Sequence, residues 1–327
     1  MIISRTPLRM SFIGGGSDMK DYYQKRGGAV LSTAINKYVY ITVNKRFIDN
    51  IRIGYSQTEE CEKVEDINHN LVREALKLIG GIDKGIEIIY TSDVLPAHEG
   101  SGLGGSSAIL IGTLNALHAF KGEHVSQRQL AEEACKIEID ILGHPIGKQD
   151  QHAVAFGGLN HILFNSDESV FVNPIIFKKE IKEKLMKNLL VFYTNINTRS
   201  DTVLTEQKSN TEENIEILDK MVELSYELSR ELRKGNLNSF GEILHKNWML
   251  KKSLASKITN PQIEEWYNLA RNAGATGGKI LGSGGGGFLL FYCEKENQEK
   301  VRQALSDLKE LPFEFEPQGS KIIYVGD

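Results

Sequence analysis

The chain has 327 residues, is 40% hydrophobic and 25% charged, and sets 39 basic against 43 acidic residues for a net charge of −4. That length holds one large or two ordinary globular domains, and the near-balanced charge excludes a nucleic-acid or anionic-membrane surface as the main partner. Cys61, Cys135 and Cys293 are scattered and form no C-x-x-C pair, so neither a disulfide framework nor a zinc site is indicated. With no signal-peptide layout in "MIISRTPLRMSF" and no apolar run of spanning length, the expected location is the cytoplasm.

In chain order, the first hundred residues read mostly as strands. "AVLSTAINKYVYITVNKRF" (29–47), "IRIGYS" and "GIEIIYTSDV" are rich in β-branched and aromatic residues, with a helix predicted over 68–79. After the glycine-rich stretch at 100–107 the period becomes helical, with Leu114, Leu117 and Phe120 in register. A second helix is predicted from Ser126 to Leu142. Strands return at "GGLNHILFN", "VFVNPI" and "NLLVFYTNI". Residues 202–273 read as helices. Leu218, Met221, Leu228 and Leu232 form one stripe that ends at Gly235, and Asn260-Pro261 is an N-cap and N1 pair. "GGFLLFYC", a helix near 297–309, "FEFEPQ" and "KIIYV" read as a β-α-β-β unit. The pattern predicts two α+β lobes changing near residue 190, without a flexible linker.

Four stretches carry the candidate chemistry. "PLRMSFIGGGSD" (7–18) runs an apolar strand into three glycines, where backbone amides can approach a ligand. "GSGLGGSSAIL" (100–110) contains G-x-G-x-x-G, but a second helix follows its helix where a dinucleotide fold needs a strand and an acid. It also lacks the lysine of a Walker A loop. Glycines followed by Ser106 and Ser107 at a helix start suit a phosphate, with hydroxyls placed for an accompanying metal. In "EEACKIEIDILGHPIGKQDQHAVAFGG" (132–158), Ala131, Cys135, Glu138 and Leu142 share a helix face. A carboxylate there is costly unless paired or metal-bound, and neither Ala134 nor Leu142 can pair with it. Asp150 falls in a Gly/Pro-punctuated turn before a strand-like run, as a turn residue or as one that orients or deprotonates a hydroxyl. In "GATGGKILGSGGGGFLLFY" (274–292) another G-x-G-x-x-G leads into a strand, again the wrong order for a dinucleotide site.

Together these stretches resemble the GHMP small-molecule kinases, over nearly the whole chain and in the family's order. "LPAHEGSGLGGSSAI" is similar to the family's P-x-x-x-G-L-G-S-S-A phosphate loop, with Gly105 where serine is commonest. "TPLRMSFIGGGSD", "GGAVLSTAINKY" and "GKQDQHAVAFGG" resemble the branch of D-glycero-D-manno-heptose 7-phosphate kinases, with fucokinase-like sugar kinases as the near alternative.

The resemblance implies an α+β, two-lobed fold: a lobe like domain 2 of ribosomal protein S5 over 1–190 and a ferredoxin-like lobe over 191–327. It implies ATP and Mg²⁺ as cofactors, a sugar phosphate as the partner, and an anomeric hydroxyl as the acceptor, for nucleotide-activated heptose. By position it makes Ser107 and Glu138 the Mg²⁺ ligands and Asp150 the group that takes or orients the hydroxyl proton, with Arg9 beside it. Gly102, Leu103, Gly104, Gly105, Ser106 and Ser107 would hold ATP phosphates. Gly15, Gly16, Ser17, Asp18, Gly284 and Gly285 would hold the sugar, and Arg199, in "TNINTRSD", its own phosphate. Lys148, Lys279 and Arg5 are weaker candidates.

Overall fold

The computed structural model describes residues 1–94, 102–197 and 200–326. The first lobe is laid down by β1 (Ile2–Ile13), α1 (Lys20–Arg26), β2 (Gly28–Lys45), β3 (Ile51–Gly54), β4 (Thr58–Cys61), α2 (Asn70–Ile79) and β5 (Ile86–Ser92). It continues through α3 (Gly105–Phe120), α4 (Gln127–Cys135), a π-helical turn (Lys136–Ile141), α5 (Gln149–Phe156), β6 (Leu159–Phe164), β7 (Val170–Pro174) and α6 (Lys179–Lys187). The second lobe follows with β8 (Leu189–Tyr193), α7 (Ser200–Ser209), α8 (Ile215–Arg233), α9 (Phe240–Lys252), α10 (Pro261–Asn272), β9 (Gly277–Ile280), β10 (Phe288–Tyr292), α11 (Lys295–Ala304) and β11 (Lys309–Glu310). The last strand, β12 (Lys321–Val325), belongs to the first lobe again.

The first sheet has the order β12-β1-β2-β5-β3-β4. The long β2 is shared: its first half pairs with β6, which pairs with β7, and its second half pairs with β5. Against this sheet lies α3, whose Ile109, Leu110, Ile111, Leu114 and Leu117 are all buried. A helix apolar on every side is an interior helix. It packs on β1 and β2 with one side and on α2, α4 and α5 with the other. At ~1.5–3 kcal/mol for each fully buried Leu or Ile, these five side chains alone fix its position.

The second sheet runs β11-β8-β10-β9, all antiparallel. Counted within the lobe this is the order 4-1-3-2, with helices after its first and third strands, the ferredoxin-like arrangement expected. The predicted stripe holds: Leu218, Met221, Leu228 and Leu232 are buried along α8. Beyond its end Gly235 N donates to Leu232 O and Asn236 N to Glu231 O, which closes the helix. Asn260 caps α10 through Oδ1, which accepts from Ile263 N at 3.0 Å. The lobes share apolar core: Leu228, Phe240 and Leu244 of α8 and α9 join the cluster of Leu8, Phe12 and Leu31. The Phe12 and Phe240 rings meet edge to face at 5.4 Å.

Four expectations need correction. The chain does not divide its sheets cleanly at 190, because β12 pairs antiparallel with β1 at the first sheet's edge. "FEFEPQ" forms no strand, only a bridge from Phe315 to Ile35. The helix predicted to reach Leu142 is α-helical only to Cys135 and then widens. Asp150 sits in the first turn of a helix, α5, not ahead of a strand. Among the described residues, no helix is long and apolar enough to cross a membrane.

Candidate active site

The site lies where β1, the start of α3, the π turn, α5 and the second lobe converge. β12 covers β1 only as far as Arg5, so the edge of β1 is open beyond it. There the glycine loop docks, with Arg9 N donating to Leu103 O at 2.9 Å. Gly104 stands before the helix with φ +74°, a conformation that suits glycine, and a Cβ on it would come within 3.0 Å of Arg9 Cγ. The helix therefore begins close against the arginine. The first turn of α3 presents N–H groups that have no carbonyl partner within the helix.

Behind that turn is a buried polar cluster. Ser106 Oγ and Ser107 Oγ donate to the two carboxylate oxygens of Glu138 at 3.0 and 2.8 Å, and Gln151 Nε2 adds a bond of 2.6 Å. Glu138 is fully buried within the π turn, where Leu142 N reaches back to Ile137 O. Such turns are frequent at functional sites. Burial pushes the Glu138 carboxyl up to about 7 against these three hydrogen bonds, and the charge of Asp150 adds to the rise. Gln151 Oε1 is buried with no partner among the described residues. The donors here are all oxygen, the set that suits a hard divalent cation. Among the described residues there is no group of three His, Cys, Asp or Glu that could hold a metal unaided.

On the other side of the first turn, Arg9 is 2% exposed and spans the site. Its Nε and Nη2 donate to Asp150 Oδ1 and Oδ2 at 2.8 and 2.6 Å, a bidentate pair, while Nη1 donates to Gly102 O. One guanidinium thus links the carboxylate at the head of α5 to the glycine loop. Lys279, also buried, donates from Nζ to Ser11 O at 3.0 Å and ties β9 to β1. Burial lowers it to about 7, with the charges of Lys251 and Arg9 adding to the shift.

Next to Asp150 a small cleft opens between the lobes, lined by Arg9, Asp18, Asp150, Lys251 and Gly282. Asp18 lines it, with Oδ1 accepting from Gly16 N at 2.8 Å and Oδ2 from Gln149 N at 3.2 Å. Burial, then the charge of Asp150, raise its pKa despite those bonds. The opposite wall includes Gln207 of α7, Lys251 of α9, Gly282 and Ser283. The two glycine loops touch: a Cβ on Gly102 would stand 2.4 Å from Leu281 O, and one on Gly282 2.5 Å from Gly102 Cα.

The structure thus brings together Arg9, Asp18, Gly16 and Asp150 at the cleft, and Gly102 to Ser107 with Glu138 beside it. Other candidates fall away from the cleft. Ser17 Oγ is spent on backbone groups, donating to Gly14 O at 2.8 Å and accepting from Ala29 N at 3.1 Å. Gly15 is covered by Gln149 and Lys251. Gly284 and Gly285 pack on Ile258, and it is Gly282 and Ser283 that line the cleft. Lys148 pairs with Glu168, and Arg5 stacks 4.3 Å over Tyr38, both outside it. Arg199 lies outside the described residues. Sequence reasoning missed Lys251 and Gln207. Lys251 follows Leu244 and Trp248 at spacings of four and three, the same signal of a charge on an apolar stripe that singled out Glu138.

Known proteins align with this arrangement. The model of the GHMP kinases N terminal domain matches residues 70–158, and that of the GHMP kinases C terminal region matches 228–310. A D-glycero-alpha-D-manno-heptose 7-phosphate kinase of Campylobacter jejuni is 29% identical over 317 residues, 93% of either chain. A crystal structure of a D-glycero-D-manno-heptose 1-phosphate kinase from Bacteroides thetaiotaomicron superposes with a TM-score of 0.83 at 26% identity, covering 100% of both chains. Lactococcus lactis galactokinase, solved with galactose, shares the fold at a TM-score of 0.78 and 17% identity, over 98% of this chain and 94% of its own. The first model falls on the lobe that carries the glycine loop and the second on the lobe that supplies Lys251 and Gly282, so the chain belongs to the GHMP kinase family and its activity is that of a kinase.

Proposed function

We propose that the protein transfers the γ-phosphoryl group of ATP to the anomeric hydroxyl of D-glycero-D-manno-heptose 7-phosphate, giving the 1,7-bisphosphate. The observation that carries this reading is the Arg9 bridge. A single guanidinium holds Asp150 by two bonds and the glycine loop by a third, which sets an acceptor carboxylate beside a phosphate-binding helix start. The wall of the cleft beyond Asp150 holds Asp18, an acceptor for sugar hydroxyls.

In this reading the N–H groups of the first turn of α3 and the loop from Gly102 hold the ATP phosphates. Ser107 Oγ and a Glu138 oxygen fit a magnesium ion, which would neutralise charge on those phosphates. Asp150 accepts the hydroxyl proton, or holds the hydroxyl by it. The hydroxyl oxygen attacks the γ-phosphorus, the bond to the β–γ bridging oxygen breaks, and ADP leaves. Arg9 holds the Asp150 carboxylate in place by two bonds and lies near the transferring group. Positioning and charge neutralisation do most of the work, since an anomeric hydroxyl is more acidic than an ordinary alcohol.

The two relatives named for heptose differ in the phosphate their names carry, 7-phosphate in one and 1-phosphate in the other. A substrate already phosphorylated at carbon 1 has no free anomeric hydroxyl, so the names imply different acceptors. ADP release with heptose 7-phosphate, heptose 1-phosphate, unphosphorylated heptose, fucose, galactose and mannose tests the choice. Turnover confined to heptose 7-phosphate is expected. Turnover of fucose and not of the heptose phosphate would move the protein to the fucokinase-like alternative.

A further inference from the structure

The wall of the cleft contributed by the second lobe carries donors with too few acceptors. Lys251 is 4% exposed, and Nζ donates to Gln207 Oε1 at 2.8 Å and to Gly15 O at 3.3 Å. An ammonium has three protons, and among the described residues the third has no acceptor. Gln207 is buried too, and among the described residues its Nε2 finds only the Met19 sulfur at 3.4 Å, a weak acceptor. Both side chains line the cleft. Facing them is Asp18, whose two carboxylate oxygens already accept from Gly16 N and Gln149 N and can accept further. Burying a lysine in this way is unfavourable, and burial lowers it to about 8 although the charge of Asp18 opposes the shift.

We infer that Lys251, held by Gln207, is the second lobe's specificity-determining residue for the acceptor sugar: Nζ donates to the oxygen of a sugar hydroxyl whose proton goes to Asp18. A hydroxyl can donate once and accept at the same time, so it satisfies the carboxylate and the ammonium together. A purely anionic group would satisfy Lys251 and repel Asp18, and an apolar group would satisfy neither. The pair therefore selects a hydroxyl-bearing acceptor. The inference rests on the sugar-kinase reading above.

The test is steady-state kinetics of the whole chain with MgATP and heptose 7-phosphate, for wild type, Lys251→Met and Gln207→Leu. Loss of a hydrogen bond to a charged group predicts a sugar KM raised at least ~10-fold in Lys251→Met, with the KM for ATP changed less than ~2-fold. Gln207→Leu, which keeps the ammonium, is expected to raise the sugar KM by a smaller factor, and it stands in if Lys251→Met does not fold. A merely structural lysine would disturb every sugar alike. Deoxy analogues of the acceptor separate the two: on the analogue that lacks the hydroxyl read by Lys251, Lys251→Met is expected to cost nothing further. An unchanged sugar KM, or an equal loss on every analogue, overturns the inference. A wild-type chain that turns over no sugar removes the sugar-kinase reading itself, and the inference with it.

Discussion

Two carboxylates flank the first turn of α3, and the protein treats them in opposite ways. Glu138 is fully buried among neutral donors, Ser106, Ser107 and Gln151, and among the described residues it pairs with no lysine or arginine. Asp150 is 26% exposed at its side chain and already carries a full counter-charge from Arg9. Three neutral hydrogen bonds do not offset the burial of Glu138, whose pKa stays near 7. That environment suits the metal-ligand role proposed for Glu138. Asp150, paired with Arg9 and open to the cleft, suits the substrate-facing role proposed for it. Environment, and not residue type, separates the two proposed roles.

Substitutions can break this comparison. The largest effect is expected from Asp150→Asn, which keeps the shape and removes the acceptor: kcat should fall at least ~10²-fold. Stopped assays of ADP formation check it, and a near-native kcat would take Asp150 out of the reaction. Glu138→Gln should leave folding intact and raise the Mg²⁺ concentration for half-maximal activity by ~10–100-fold, the scale for disturbed metal sites. The shift should also appear as loss of Mg²⁺-dependent thermal protection in the presence of ATP. Identical Mg²⁺ dependence in the variant would assign Glu138 a purely structural role.

A third prediction concerns the helix that carries both Asp150 and Gln151. His152 on α5 is buried, bonds Lys148 O at 2.8 Å through Nδ1, and is lowered by burial from 6.5 to about 4. The unfolded chain therefore takes up a proton before the folded one does as pH falls. The folded state keeps its full stability above pH 6.5 and loses this part progressively toward pH 4. Between pH 7 and 4.5 the wild type should lose on the order of 2 kcal/mol more than His152→Gln. Urea unfolding at both pH values reads the difference, and parallel losses would contradict it. A comparable effect is expected at Gly104, which packs against Arg9. An alanine there meets φ +74° and the side chain of Arg9, which should cost ~1–3 kcal/mol of stability and lower kcat modestly.

The parts of the site that depend on chemistry read well from the chain. Glu138 was visible as a charge on an apolar stripe, and Ser106 and Ser107 as hydroxyls after glycines at a helix start. The π turn was not, because an i to i+5 turn leaves no distinctive spacing in so short a segment. Ser17 misled for a similar reason: a serine in a glycine loop looks exposed, whereas its hydroxyl replaces backbone bonds within the turn. The return of β12 to β1 hides because five residues of strand text say nothing of their distant partner. Lys251 was legible by the criterion that found Glu138, but its role needs Asp18 and Gln207 beside it, and those contacts come from three separate elements.

The claim that unites these observations is that phosphate passes from ATP to an anomeric oxygen at Asp150. Phosphorus NMR of the product made from heptose 7-phosphate and MgATP tests it most directly. One new sugar-phosphate signal is expected, coupled to the anomeric proton, growing in step with ADP and growing at least ~10²-fold more slowly with Asp150→Asn. A new phosphate on any other carbon, or ADP formed with no sugar bisphosphate, would contradict it.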